Sequence, residues 1–218
     1  MRNNPTIPRA ISRDRKGTGQ VGFFILGILW LTVVIGGLVA MERYEFSSGD
    51  DTAAPAHWPD ASSIPRAEKM PTLVVFAHPR CPCTSATLEE LAAIMASEGA
   101  SAKVCVLFFD PAETSEEWMH SATIRQAAAI PGVTLLMDKS GKEAQRFHAA
   151  TSGRTLLYSA KGELLFDGGI TGSRGHPGKN AGGSAVVSLL TKGTSGRANT
   201  PVYGCKIYDS SNCFQCPR

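Results

Sequence analysis

The chain has 218 residues, room for one globular domain of ordinary size plus appendages. Its formal charge is +3, yet the first 20 residues hold five of the 22 basic side chains (Arg2, Arg9, Arg13, Arg15, Lys16) against Asp14 alone. The remainder is close to neutral, which excludes a basic nucleic-acid-binding domain.

From Val21 to Met41 runs a stretch of 21 uncharged residues, apolar but for Thr32. At the helical rise it spans about 30 Å, enough to cross a bilayer core. A cleavable signal peptide is the rival reading. Leu38-Val39-Ala40 is a poor cleavage site, and the run is longer than an ordinary signal core. The expectation is an uncleaved, single-pass anchor over residues 21–41. The basic tail, residues 1–20, stays in the cytoplasm, and residues 42–218 face the periplasm from the inner membrane. All six cysteines fall on that oxidising side, where disulfides persist. Their even count permits three bridges without assigning any.

Residues 42–70 are rich in Ser, Ala, Asp and Pro and read as a tether. Within it, His57 and Trp58 form a pair suited to docking or to packing on the domain surface. Regular structure is expected over residues 71–192. An apolar strand covers about 72–77, and a helix follows the cysteines Cys81 and Cys83 to about Ala96. In that helix Leu88, Leu91, Ala92 and Met95 share one face. Thr84 and Ser85 are candidate caps, with Thr87 and Glu90 at capping-box spacing. A buried strand spans Ala102 to Phe109, and Thr114 with Glu117 begins a helix running to about Ala129. Val133 to Met137 is a third strand, and Gly141 to Ala149 a short helical piece. Arg154 to Tyr158 and Glu163 to Phe166 flank Ser159-Ala-Lys-Gly162, a hairpin signal. A glycine-rich loop from Gly168 to Gly183 leads into a last helix around Ser184 to Thr191. The tail, residues 193–218, is loop-like and carries Cys205, Cys213 and Cys216. Helices between strands call for a parallel portion with right-handed crossovers, and the hairpin adds antiparallel strands. The fold class is therefore α/β, a mixed central sheet flanked by helices.

Cysteines delivered by a strand to a helix N-terminus have a chemical consequence. Unpaired backbone N–H groups and the positive end of the helix dipole favour thiolate over thiol. Thiolates attack disulfides and bind soft metals. Arg80 is adjacent and His78 is close, and Cys81, entering the turn first, is the better nucleophile candidate. Cys105, between Val104 and Val106 in mid-strand, reads as a buried small hydrophobe. The seven glycines of the loop suggest close backbone approach, with Arg174, His176 and Lys179 supplying positive charge. Arg174 or His176 is expected to stabilise the Cys81/Cys83 thiolate or to receive an anionic group. The loop has the spacing of neither a phosphate-binding loop nor a dinucleotide fingerprint. His120 and His148 read as surface or packing residues.

This element order, with cysteines at the first strand-to-helix junction, resembles the thioredoxin fold over about residues 70–192. More narrowly it resembles membrane-tethered periplasmic thiol–disulfide oxidoreductases, including a RedB-like group. Gly153-Arg-Thr-Leu-Leu-Tyr-Ser-Ala-Lys-Gly162 parallels the family's cis-Pro-Thr-Thr hairpin in spacing. Against the family pattern, Cys-x-x-Cys is shortened here to Cys81-Pro82-Cys83, whose ring would be strained, either more oxidising or unable to form stably. The family's cis-proline falls at Gly153, which permits close approach without enforcing a cis bond.

The resemblance implies exchange with protein thiols and disulfides through Cys81 and Cys83. A neighbouring or tail cysteine (Cys205, Cys213 or Cys216) would resolve the mixed disulfide or form structural bridges. Neither a cofactor nor a metal site is expected on this reading. The alternative is a copper or other soft-metal carrier using the same thiolates.

Overall fold

In the computed structural model the described residues are 16–49, 52–98, 101–111, 118 and 120–208. Helix α1 covers Lys16–Glu45. From Val21 onward its 25 residues are long and apolar enough to cross a membrane, with a mean hydropathy of 2.5 over the apolar 18-residue window and none of that window buried. The chain divides into two compact units, one ending at Tyr44 and the other beginning at Glu45.

The second unit is built on β1 (Thr72–Ala77), α2 (Pro82–Glu98), β2 (Lys103–Asp110), α3 (Ala122–Ala128), β3 (Val133–Lys139), α4 (Lys142–Arg146), β4 (Arg154–Tyr158), β5 (Leu164–Gly169) and α5 (Ala181–Lys192). The sheet order is β3-β2-β1-β4-β5. β1, β2 and β3 run parallel, and β4 and β5 pair antiparallel. Both faces of the sheet are covered, so its central strands are apolar on alternate sides. Leu73, Val75 and Ala77 of β1 pack with Leu88 and Leu91 of α2, Ala127 of α3 and Val186 of α5. Val74 and Phe76 join Phe147, Leu156 and Tyr158 on the opposite face. The capping box at Thr114 and Glu117 lies outside the described residues. The single helix expected to about Ala129 is interrupted at His120 and Ser121, and α3 starts afresh there, capped by Ser121, whose Oγ accepts the Ile124 N–H at 3.3 Å.

Two expectations change. The segment read as a tether over 42–70 is largely docked. Leu164 N–H donates to Ala56 O at 2.9 Å and Trp58 N–H to Gly162 O at 2.7 Å, an isolated antiparallel bridge at the start of β5. Trp58 is wedged edge-on against Phe147 (5.1 Å) and Tyr158 (5.3 Å). Composition suggested a tether because Pro, Ser and Asp dominate it; one tryptophan and paired backbone groups suffice to hold it down. The described part of the tail after α5, residues 193–208, is likewise no loose loop. It runs beside β5, with Asp167 N–H donating to Ala198 O (3.0 Å) and Thr200 N–H to Asp167 O (3.3 Å). It then crosses to residues 150–152, where Ser152 N–H donates to Cys205 O and Ile207 N–H to Ala150 O, both at 2.8 Å. We call residues 198–208 the strap.

Candidate active site at the β1–α2 junction

Strand β1 ends at Ala77, and His78 to Cys81 form a turn closed by Cys81 N–H to His78 O at 3.1 Å. Pro82 opens α2, where its missing N–H costs nothing and its fixed φ suits the first helical position. Thr84 and Ser85 therefore lie within the helix rather than capping it. Thr84 Oγ1 donates to His78 O (3.0 Å) and is 2.9 Å from Ser152 Oγ, which accepts the His78 N–H at 2.9 Å. Ser85 Oγ donates to Gln126 Oε1 at 3.0 Å. The cysteine turn is thus pinned to the segment entering β4 by Ser152, a residue the sequence did not single out.

Cys81 is 1% exposed and Cys83 7% exposed. The Cys205 N–H donates to Cys81 Sγ at 3.4 Å, and no disulfide joins the three residues. The thiols of Cys205 and then Cys83 donate to the Cys81 sulfur, and with the two backbone N–H groups they hold its pKa well below the ordinary thiol range despite burial. Cys83 moves the opposite way. Its hydrogen bond to Cys81, its burial and the negative charge on Cys81 push its pKa up, against weaker opposition from Arg174 and the Gly175 N–H. Thiolate character is therefore concentrated on one sulfur. The helix start contributes in the same sense.

His78 is buried, stacked on Phe109 (centroids 5.9 Å apart) and edge-on to Trp118 (5.2 Å). Its Nδ1 accepts the Arg80 N–H at 3.2 Å. Burial lowers its pKa, Arg80 adds to this and Cys81 opposes it, so the ring is held neutral. Arg80 places its guanidinium 4.9 Å over the Trp118 ring, a cation–π contact.

Arg174 reaches the site through backbone. Its Nη1 donates to Gly204 O at 2.8 Å and its Nε to Ser47 O at 3.2 Å, while its charge favours ionisation of Cys83. His176 is exposed and its Nδ1 contacts Arg174 O (2.7 Å) and Ser173 Oγ (3.2 Å), so it shapes the loop. The loop is tied to α2 by Gly178 N–H and Asn180 Nδ2 donating to Glu90.

Gly153, where the resemblance puts a cis-proline, is built differently. Its φ is +90°, its N–H donates to Phe76 O at 2.7 Å, and the peptide bonds are all trans among the described residues. Proline has neither that φ nor the N–H. A Cβ there would come within 2.9 Å of Thr87 Oγ1. Gly204 is fixed by close approach, since a Cβ on it would run into the Ser152 carbonyl. Cys105 is fully buried in β2, and burial raises its pKa. Cys213 and Cys216 lie outside the described residues. Among the described residues no group of three or more His, Cys, Asp or Glu side chains is arranged to hold a metal ion.

Three parallel strands, a closing antiparallel hairpin and cysteines where the first strand meets its helix define a thioredoxin-like fold. Among solved structures, the chain is similar to a hypothetical protein from Sinorhizobium meliloti 1021 (TM-score 0.58, 23% identity, covering 76% of this chain and 98% of that one). It is also similar to an uncharacterized conserved protein from Geobacillus kaustophilus (TM-score 0.54, 16% identity, 77% and 95% covered). A looser likeness, TM-score 0.41 at 14% identity over 69% of this chain and 98% of the other, is to a secreted Mycobacterium tuberculosis disulfide oxidoreductase. No family model and no curated protein matches the chain. The first two likenesses speak to the fold; function is argued from the site itself.

Proposed function

We propose that this protein is a membrane-anchored, thioredoxin-like thiol–disulfide oxidoreductase whose domain faces the periplasm, with Cys81 as nucleophile within the Cys81-Pro82-Cys83 motif. The observation that carries this reading is the placement of Cys81: buried where β1 meets α2, its sulfur accepts the Cys205 N–H at 3.4 Å, an environment that lowers its pKa while that of Cys83 is raised. A sulfur kept as thiolate near neutral pH is the form that attacks a disulfide. Attack on a substrate disulfide breaks its S–S bond, joins one half to Cys81 and releases the other half as a thiolate. A second cysteine then displaces the bound half, so the substrate is reduced by two electrons and the protein oxidised by two. The apolar helix α1 supports anchoring, and the basic residues before it support the orientation. The RedB-like resemblance belongs to this reading and rests on the sequence.

The copper-carrier alternative would use the same Cys81 and Cys83 thiolates, with a further cysteine or histidine completing the site. The test is a redox titration of the full chain in detergent, using glutathione buffers and counting alkylated thiols by peptide mass mapping. Cys81 is expected to change state within the periplasmic range of potentials. A Cys81 that stays reduced throughout, in protein that purifies with stoichiometric copper, overturns the oxidoreductase reading.

A further inference from the structure

The strap brings a third cysteine to a site that the motif presents as a pair. Three hydrogen bonds place it: Ser152 N–H to Cys205 O, Ile207 N–H to Ala150 O, and Cys205 N–H to Cys81 Sγ at 3.4 Å. Gly204 lets the strap lie against the Ser152 carbonyl, and Arg174 holds the Gly204 carbonyl from the other side at 2.8 Å. Hydrogen bonding from Cys205 is also the largest of the causes that lower the Cys81 pKa. These two residues are 124 apart in sequence, so only a folded strap makes them neighbours.

The two candidate partners of Cys81 differ in freedom. Cys83 is fixed in the first turn of α2, where Thr87 Oγ1 donates to its carbonyl at 3.2 Å. Only Pro82 separates Cys81 from Cys83, so a disulfide between them would close a small, strained ring against the first turn of α2. Cys205 lies in the strap, outside the helices and strands, and it is partly exposed whereas Cys81 is buried. It offers a sulfur that can rotate onto Cys81 and that a soluble dithiol can reach.

We propose that Cys205, not Cys83, is the resolving cysteine, and that the oxidised protein carries a Cys81–Cys205 disulfide whose solvent-facing sulfur belongs to the strap. The inference rests on the oxidoreductase reading above. Reduced Cys81 thiolate attacks a substrate disulfide, giving a mixed disulfide and a leaving thiolate. That thiolate takes the proton from the Cys205 thiol, which had been donated to Cys81. The Cys205 thiolate then attacks the Cys81 sulfur, forming the Cys81–Cys205 bond and expelling the second substrate thiolate, which is protonated by water. Two protein sulfurs are oxidised and two substrate sulfurs reduced. A dithiol reductant restores the protein by attacking the exposed Cys205 sulfur, leaving oxidised as a disulfide itself. The strap is thereby closed by a covalent bond in one redox state and by hydrogen bonds in the other.

The experiment treats the reduced full chain in detergent with glutathione disulfide, quenches with acid and maps the cysteine peptides by mass. The wild type is expected to yield a Cys81–Cys205 cross-linked peptide with no lasting adduct. Cys205→Ser is expected to lose resolution, with glutathione persisting on Cys81 after the wild type has cleared it. A wild-type map showing Cys81 joined to Cys83, Cys213 or Cys216 overturns the proposal, as does a Cys205→Ser protein that clears its adduct at the wild-type rate. The wild-type map needs no variant, so a folding defect in Cys205→Ser does not decide the matter. If Cys81 forms neither adduct nor disulfide in either protein, the oxidoreductase reading fails and this inference falls with it.

Discussion

The amide of Cys205 donates a hydrogen bond to the Cys81 sulfur across 3.4 Å, from a strap that enters the site beside Ser152. Gly204→Val tests what that contact does, because its Cβ would collide with the Ser152 carbonyl and push the strap away. Cys81 then loses donors, so its thiolate should form only at higher pH than in the wild type. Ultraviolet thiolate absorbance against pH reads the shift; an unmoved profile means the strap does not stabilise the thiolate.

The two motif cysteines should titrate in opposite directions. Cys81, held down, keeps its thiolate absorbance well below the ordinary thiol value of about 8.5, and Cys81→Ser abolishes that acid-range step. Cys83, pushed up, stays protonated at neutral pH. The sign for stability follows. Folding lowers the Cys81 pKa, so the reduced protein gains stability from this group as pH rises from the folded value toward the unfolded one. It loses that gain as pH falls through the folded value. Denaturation midpoints of reduced wild type and Cys81→Ser, compared across acid to neutral pH, check this slope.

Arg154 and Asp167 form a two-pronged pair (Nε–Oδ1 2.8 Å, Nη2–Oδ2 2.7 Å) between β4 and β5, with the arginine side chain 4% exposed. Asp167 also accepts the Ala54 N–H at 3.0 Å, tying down the segment before the domain. Asp167→Ala leaves a buried guanidinium without its counter-charge and should cost about 3–5 kcal/mol in chemical denaturation. A loss under about 1 kcal/mol would show that solvent reaches the pair.

Trp58→Ala removes the ring that packs edge-on to Phe147 and Tyr158. The ring is half-buried, so the cost should be about 2 kcal/mol, below that of a fully buried tryptophan. Limited proteolysis should then cut between residues 52 and 70 in the variant before it cuts the wild type. Equal cutting would mean that the backbone bonds of Ala56 and Trp58 suffice to hold the segment.

Gly153→Pro should be severely destabilising, because it removes the N–H donated to Phe76 O and demands a φ opposite in sign to the +90° observed. A loss of about 3 kcal/mol or more in the denaturation midpoint is expected. A well-folded variant would show that this turn can rebuild around a proline.

The local order of elements was written in the sequence because its signals are local. Alternating and continuous apolar runs marked β1 to β4, the Ser159–Gly162 turn marked the hairpin, and two cysteines before an amphipathic segment marked the helix start. The apolar run of Val21 to Met41 is likewise legible by itself, since being long and apolar enough to cross a membrane is a matter of length and hydropathy. What the tertiary structure decided depends on contacts between distant residues. Thr84 reads as a cap from its neighbours, yet it reaches across to Ser152. The segment around Trp58 reads as a tether from its composition, yet it docks because Phe147 and Tyr158 are there to receive it. Cys205 reads as one of three tail cysteines with nothing to rank them. Its place beside Cys81 is set by backbone hydrogen bonds to residues 150–152 and by the space Gly204 leaves, and neither has a signature in the spacing of cysteines.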